Sequence, residues 1–298
     1  MTPSIPGPDR TGAPARTPRN RWVRFARRLA GQPLAVIAGS ALLVIVGVLI
    51  AAPWIAPYRP DATNLMAVLR PPGTPGHLLG TDELGRDILS RVLVGGRISL
   101  LAALQGTGIA LLIGVPLGLV SGYFGGWADK IIMFFNDALM SFPAMLLAMA
   151  IAGILTPNLT NAMIAIGIIT APRAVRLVRA SALSIREETY IEAARAIGAS
   201  QLSILTRHVI PNILPPLLVF AMILAGTVML MEAGLSFLGF GVQAPQSSWG
   251  AMLGSSLGYA ARAPWLATFP GLCIALTVLM LNLFGDGLRD AIGKKVRT

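Results

Sequence analysis

The run ISLLAALQGTGIALLIGVPLGLVSGYFGGWA, residues 98–128, contains no charged residue. A helix needs about 20 apolar residues to cross about 30 Å of hydrocarbon, and this run exceeds that length. It predicts a span near 99–121. Gly106, Gly108, Gly114 and Gly118 within it favour close approach of neighbouring helices. Working outward, residues 34–52 are also uncharged and long enough to span. A basic stretch precedes them, as in a signal peptide, but an h-region is only about 7–15 residues. They read as an uncleaved first span. Residues 138–172 form a third uncharged run, too long for one ordinary span. Thr156-Pro157-Asn158 near its middle reads as a turn, so it divides into spans near 132–155 and 160–179. Further spans lie near 212–233 and 264–285. The segment 234–263 is apolar yet rich in Gly, Ser and Pro, which suits a re-entrant or packed external loop.

Composition agrees with a membrane protein. Hydrophobic residues make up 54% of the 298, charged residues 12%, and mean hydropathy is +0.70. Soluble domains carry about 25% charged residues. The net charge of +11 is explained by topology, not by nucleic acid. The N-terminal tail holds seven arginines, 171–211 six, 286–298 four basic residues, and Lys130 adds one; 53–97 and Arg262 supply the other six. With six spans both termini share the richer side, which is expected to be cytoplasmic. Two parts follow: residues 1–32, a disordered basic cytoplasmic tail ending in an interfacial helix, and residues 33–298, the transmembrane domain. In that helix Trp22, Phe25, Ala26 and Leu29 share one face and Arg21, Arg24, Arg27 and Arg28 the other, as on an anionic lipid surface. A plain positive flank is the equal alternative.

Catalytic and metal chemistry find little support. Cys273 is the only cysteine, and His77 and His208 are the only histidines. No Gly-x-x-x-x-Gly-Lys-Ser/Thr phosphate loop is present, so ATP has no site of that kind here. The chain reads as a non-enzyme without cofactor or metal.

The informative loop lies between the fourth and fifth spans. It reads Tyr190-Ile191-Glu192-Ala193-Ala194-Arg195-Ala196-Ile197-Gly198-Ala199-Ser200, then His208-Val209-Ile210-Pro211-Asn212. Small residues permit close packing, Gly198 suits the break after a short helix, and Pro211 opens the next span after a non-helical approach. Such a helix suits a partner's groove, or packing on the chain's own spans.

This pattern resembles the "EAA loop" of ATP-binding-cassette (ABC) importer permeases. Glu192, Ala193, Ala194, Gly198 and Pro211 match, while His208 stands where an aliphatic residue is usual. Gly80, Thr81, Asp82, Gly85, Arg86, Asp87, Arg91 and Arg97 look like the signature of the C-type permease subunit of dipeptide and oligopeptide importers. Residues 232–241, EAGLSFLGFG, and Asp137 with Ser141-Phe142-Pro143 are similar too, although Phe134 replaces an expected arginine. The matches cover roughly 34–292.

The resemblance implies an all-α membrane protein of about six transmembrane helices with the type I ABC importer permease fold. It implies half of a peptide pathway in a bacterial inner membrane. Its partners would be a second permease, two ABC ATPase subunits or domains, an extracytoplasmic substrate-binding protein and membrane lipid. The loop with Glu192 and Gly198 would dock on the ATPase. Nickel and glutathione permeases look alike, so the substrate stays open.

Several roles stay open on the residues alone. Arg86, Asp87, Arg91 and Arg97 pair among themselves or meet the binding protein. Asp137 and Glu232 line the pathway or its gate, or are satisfied structurally, because a charge in a span costs at least a few kcal/mol unless paired or hydrated. In an ion-coupled secondary transporter those two would carry the ion, and uptake would then follow a gradient instead of ATP. Arg173, Arg176 and Arg179 read as topology anchors.

Overall fold

The computed structural model describes residues 29–293. The expected basic tail and most of its interfacial helix lie outside them. Ten α-helices account for the described fold, and the only β-pairing among described residues is two isolated bridges, Thr74 with His77 and Thr81 with Asp87. Helix α1 is Pro33–Ile55, α2 is Ile88–Leu119, α3 is Gly126–Met140, α4 is Ala144–Ile154 and α5 is Leu159–Arg186. The short helices α6, Thr189–Ala196, and α7, Gln201–Ile204, precede α8, Ile210–Phe237. Helix α9 is Trp249–Ser256 and α10 is Trp265–Gly293. Five helical stretches are long and apolar enough to cross a membrane, and a sixth exists if the bent pair α3–α4 is one span.

The spans appear where apolar runs predict them, but several ends differ. Helix α2 starts at Ile88, not near 99, because the Asp87 carboxylate caps it by accepting from Ser90 N. A cap outweighs the polarity of the first turns. Past Leu119 the chain continues through a π turn, Val120–Phe124. The span expected near 132–155 is two helices bent by 92°. Pro143 has no N–H to continue α3, and the Ser141 hydroxyl donates instead to Ala138 O at 2.7 Å. Pro211 does not follow a non-helical approach. The stretch from Gln201 to Phe237 is helical throughout, with a π turn at Leu205–Val209. That turn places the shifted bonding where proline removes a donor.

Asn158 closes the turn before α5 by accepting from Asn161 N at 2.9 Å. The segment 234–263 is packed. Gly239 turns with φ +86°, and α9 folds back so tightly on α8 that a Cβ on Gly250 would lie 2.5 Å from Ala233 Cα. Trp249 is 2% exposed and donates from Nε1 to Val92 O of α2 at 2.8 Å.

Three apolar clusters fill the bundle. One surrounds Trp249 with Leu49, Ile88, Val92, Met229 and Leu266. The second joins Met163, Ile166, Leu224, Val228 and Leu235. The third gathers Leu119, Tyr123, Val178, Ile191, Ile204 and Val209. Helix α1 packs on α2 and α10 through Ala35, Ala38, Leu49 and Ala52 and leaves Leu34, Ile37, Leu43 and Val44 exposed.

Close packing of α2 on α5 depends on glycine. A Cβ at Gly118 would sit 2.7 Å from Val178 Cβ and 2.8 Å from Val175 O. Gly114 abuts Ala171 and Ala174, and Gly106 faces Val228 of α8. Gly108 does not take part, since nothing lies within 4 Å of its would-be Cβ. Gly118→Leu is therefore expected to destabilise the purified protein by about 1–3 kcal/mol through overpacking. Gly108→Leu is expected to lie near the parent. Thermal denaturation of the two variants in detergent checks this, and equal midpoints would refute the glycine contact.

Candidate functional site

Helix α6 presents two faces. Ile191 is fully buried and Ala194 nearly so, seated on Val178, Ala182, Ile204 and Val209. Glu192, Ala193 and Arg195 face outward. The helix ends in a Schellman arrangement: Gly198 N donates to Arg195 O at 2.9 Å and Ala199 N to Ala194 O at 3.0 Å. Gly198 has φ +80°, the left-handed region that disfavours a side chain. No atom lies within 4 Å of a Cβ built there, so the space outside the turn is open. Ser200 then caps α7, its hydroxyl accepting from Ser203 N. Ile197 is 85% exposed and Leu202 70%, a pair of large apolar side chains at the tip. Pro211 is exposed within the following helix. His208 stacks obliquely against Tyr190, ring centroids 6.0 Å apart. Burial, and then the Glu188 carboxylate, push the Tyr190 phenol above its ordinary range.

Beneath this loop lies Tyr123, which the sequence reading did not single out. Its hydroxyl meets Gln201 Oε1 at 2.5 Å, its carbonyl accepts from Arg186 Nη1 at 3.1 Å, and Arg195 lies 5.8 Å from its ring centroid. The surrounding glycines hint at an unusual backbone, but nothing in one sequence marks the partners.

The second motif forms a compact knot at the start of α2. The Asp82 carboxylate accepts from the backbone of Leu84 and Arg86, from Arg86 Nε at 2.6 Å, and from Arg91 Nε at 3.3 Å. Arg86 also reaches Glu83 at 2.8 Å, and Arg91 donates to Pro60 O. Asp87 holds Ser90 and His77 Nδ1, the latter at 3.0 Å, and pairs with no arginine among the described residues. Thr81 is fully buried, accepting from Arg70 N and donating to Ala67 O. Gly80 and Gly85 have φ of +83° and +70° where backbone crosses closely. The pairing expected within the set Arg86, Asp87, Arg91 and Arg97 is thus routed through Asp82, Glu83 and His77. Arg97 stands apart, exposed, with no ion pair or hydrogen bond among the described residues.

Asp137 and Glu232 are not brought together. Asp137 is exposed and pairs with Arg176 at 2.8 Å. Arg179 makes a two-pronged pair with Asp129 at 2.6 and 2.7 Å, so these arginines fasten α3 to α5. Glu232 is 1% exposed, with Ser236 Oγ at 2.6 Å and Ser99 Oγ at 3.4 Å. Ser99 also accepts from Trp249 N. Glu232 thereby ties α8, α2 and α9. No group of three His, Cys, Asp or Glu side chains suits a metal among the described residues.

Residues 114–298 match the family described as "Binding-protein-dependent transport system inner membrane component", and residues 20–72 match the "N-terminal TM domain of oligopeptide transport permease C". A probable D,D-dipeptide transport system permease, DdpC of Escherichia coli K12, is 43% identical over 95% of this chain and 94% of its own length. A glutathione transport system permease, GsiD of Pectobacterium atrosepticum, is 43% identical over 94% and 93%. Among solved structures, a chain of the inward-facing MetNI methionine ABC transporter superposes with a TM-score of 0.57 at 19% identity. It covers 68% of this chain and 97% of that one, a likeness of fold alone. These relatives are transport permeases, not enzymes; permeases of this kind carry no cofactor, and ATP is used by partner ATPases. The chain therefore belongs to the binding-protein-dependent inner membrane components, as a C-type ABC-importer permease of the dipeptide and oligopeptide group and a multi-pass protein of the bacterial inner membrane.

Proposed function

We propose that this chain forms half of a translocation pathway for short peptides and couples it to separate ATPase subunits through α6. The observation that carries the coupling role is the two-faced α6. Its inner face is locked to the spans, while Glu192, Ala193, Ile197 and Leu202 are left outside beside the open turn at Gly198. Exposed apolar residues on a short, rigidly seated helix fit a partner's groove. The substrate class rests on relatives named for D,D-dipeptide and glutathione transport, both of them short peptides.

On this reading both termini and α6 are cytoplasmic, and the knot of Thr81, Asp82, Arg86, Asp87 and Arg91 faces the binding protein from outside. A second permease completes the pathway. The exposed Asp137–Arg176 pair suits the wall of a hydrated pathway, because charges at span depth avoid lipid. Glu232, buried among hydroxyls, acts as a fastening, not a gate.

Two experiments test this. A cysteine placed at exposed Leu78 in a Cys273→Ala background is expected to react with an impermeant thiol reagent in intact cells, and Ser200→Cys is expected to be shielded. Labelling of Ser200→Cys from outside overturns the orientation. Gly198→Trp is expected to release the ATPase or unlink hydrolysis from transport, since a side chain at positive φ costs about 1 kcal/mol or more and its bulk holds the partner off. Glu192→Ala is expected to cost only about 1 kcal/mol of docking. Co-purification of the ATPase reads both, and a parental result for Gly198→Trp ends the coupling reading.

A further inference from the structure

We infer that Tyr123 is the positioning residue through which α6 moves the spans, an inference that rests on the coupling role of α6. Three segments of the loop region converge on this one residue. Arg186, in the last turn of α5, donates to its carbonyl at 3.1 Å. Arg195, in the last turn of α6, lies over its ring at 5.8 Å. Gln201, the first residue of α7, accepts from its hydroxyl at 2.5 Å. Tyr123 is 3% exposed, and its partners reach it from the surface of the loop, where Arg195 and Gln201 are themselves exposed.

The seat beneath Tyr123 is rigid. It occupies the π turn Val120–Phe124 that ends α2, and such turns concentrate at functional positions. The neighbouring Ser121 hydroxyl donates to Asp129, which Arg179 grips with two hydrogen bonds. A Cβ on Gly122 would lie 2.5 Å from Arg179 O, so the turn lies directly on α5. The helical stretch from Ile88 to Phe124 has 37 residues, about 55 Å at 1.5 Å per residue. Its far end carries Asp87 and Arg91 of the other motif. A pull on α6 therefore reaches Tyr123 directly through Arg195 and, through the helices that flank α6, by Arg186 and Gln201, and from there travels along the helical stretch that begins at Ile88. The other polar link from α6 to a span, Asn212 to the Tyr190 hydroxyl, is exposed and 3.4 Å long.

The test uses the complete reconstituted complex with an environment-sensitive dye on Leu78→Cys, in the Cys273→Ala background, at the far end of α2. ATP is added without substrate, and the ATP concentration giving half of the fluorescence change is read. Tyr123→Phe keeps the ring and the carbonyl and removes only the phenol donor. It is expected to raise that concentration about two- to tenfold, the worth of one hydrogen bond. ATPase co-purification and maximal hydrolysis stay parental. Gln201→Met is expected to do the same, the double variant no more than either, and Gln201→Glu, which still accepts, is expected to match the parent. A parental value for Tyr123→Phe or for Gln201→Met, multiplying effects in the double variant, or no ATP-driven change at Leu78 in the parent each overturn the inference. Gly198→Trp separates the two ideas. If it uncouples while Tyr123→Phe does not, the role of Tyr123 falls and the docking role of α6 stands; if Gly198→Trp is parental, the docking role falls with it.

Discussion

The contact on which the rest of the structure depends is the glycine seam between α2 and α5. In a membrane, apolar burial drives helix association weakly, so close van der Waals packing of small residues has to supply it. Gly114, Gly118 and Gly122 provide that packing by letting α2 approach the backbone of Ala171, Val175 and Arg179. Because α5 runs straight to the short α6, the seam sets where the exposed loop stands. Because α2 starts at Ile88, capped by Asp87, the seam also sets where the other motif stands. A larger residue at Gly118 would displace both ends at once.

The buried polar groups are distributed to the same helix. Ser99 of α2 receives Trp249 N and faces Glu232. The Val92 carbonyl, already in a helix, takes the Trp249 indole. Arg91 leans on Asp82, and Ser90 on Asp87. Each bond removes a polar group that would be costly to leave alone in an apolar setting. Helix α9 is held in the bundle by these contacts together with its buried Trp249 and Met252. Many of the buried polar residues thus attach irregular segments to α2, while the Asp129–Arg179 and Asp137–Arg176 pairs fasten α3 to α5.

Hydropathy was a sound guide to where the spans are, because about 20 uncharged residues have few other uses. It was a poor guide to their ends. The start of α2 at Ile88 depends on one capping carboxylate, and the bend at Ser141–Pro143 depends on a missing donor inside an apolar run. Neither changes mean hydropathy. Gly108 looked like its neighbours at 106, 114 and 118, yet it faces away, since helical phase decides contact and composition does not. At the site, Gly198 was legible because positive φ has few solutions other than glycine. The partners of Asp82 and Asp87 were harder to read. A carboxylate accepts from any donor within reach, and reach is decided by how the loop folds. Tyr123 was not legible, because its role comes from three residues 63 to 78 positions away in the chain.

These two kinds of legibility bear on how a permease of this family works. The loop of Glu192 and Gly198 and the knot around Asp82 lie near opposite ends of the helical stretch Ile88–Phe124, and the proposed function has other chains met there. The residues that join those ends are ordinary ones in ordinary-looking helices. A displacement at α6 cannot be absorbed locally, since Ile191 and Ala194 sit in the same cluster as Val178, Ile204 and Val209. It has to be shared with α5 and with the helix that begins at Gln201. Close-packed interiors respond to such a displacement by switching between arrangements, not by bending continuously. The 92° break between α3 and α4 and the two π turns at 120–124 and 205–209 are where the backbone departs from straight α-helix. Each π turn sends one residue, Tyr123 or Val209, into the cluster that seats Ile191 and Ala194 of α6, and the break lies beside the Asp137–Arg176 pair. Irregular backbone is therefore placed beside α6 and beside the Asp137–Arg176 pair, the two places that the proposed function would have move. On the proposed reading, the glycine-seated length of α2 between them would carry the movement without taking part in it.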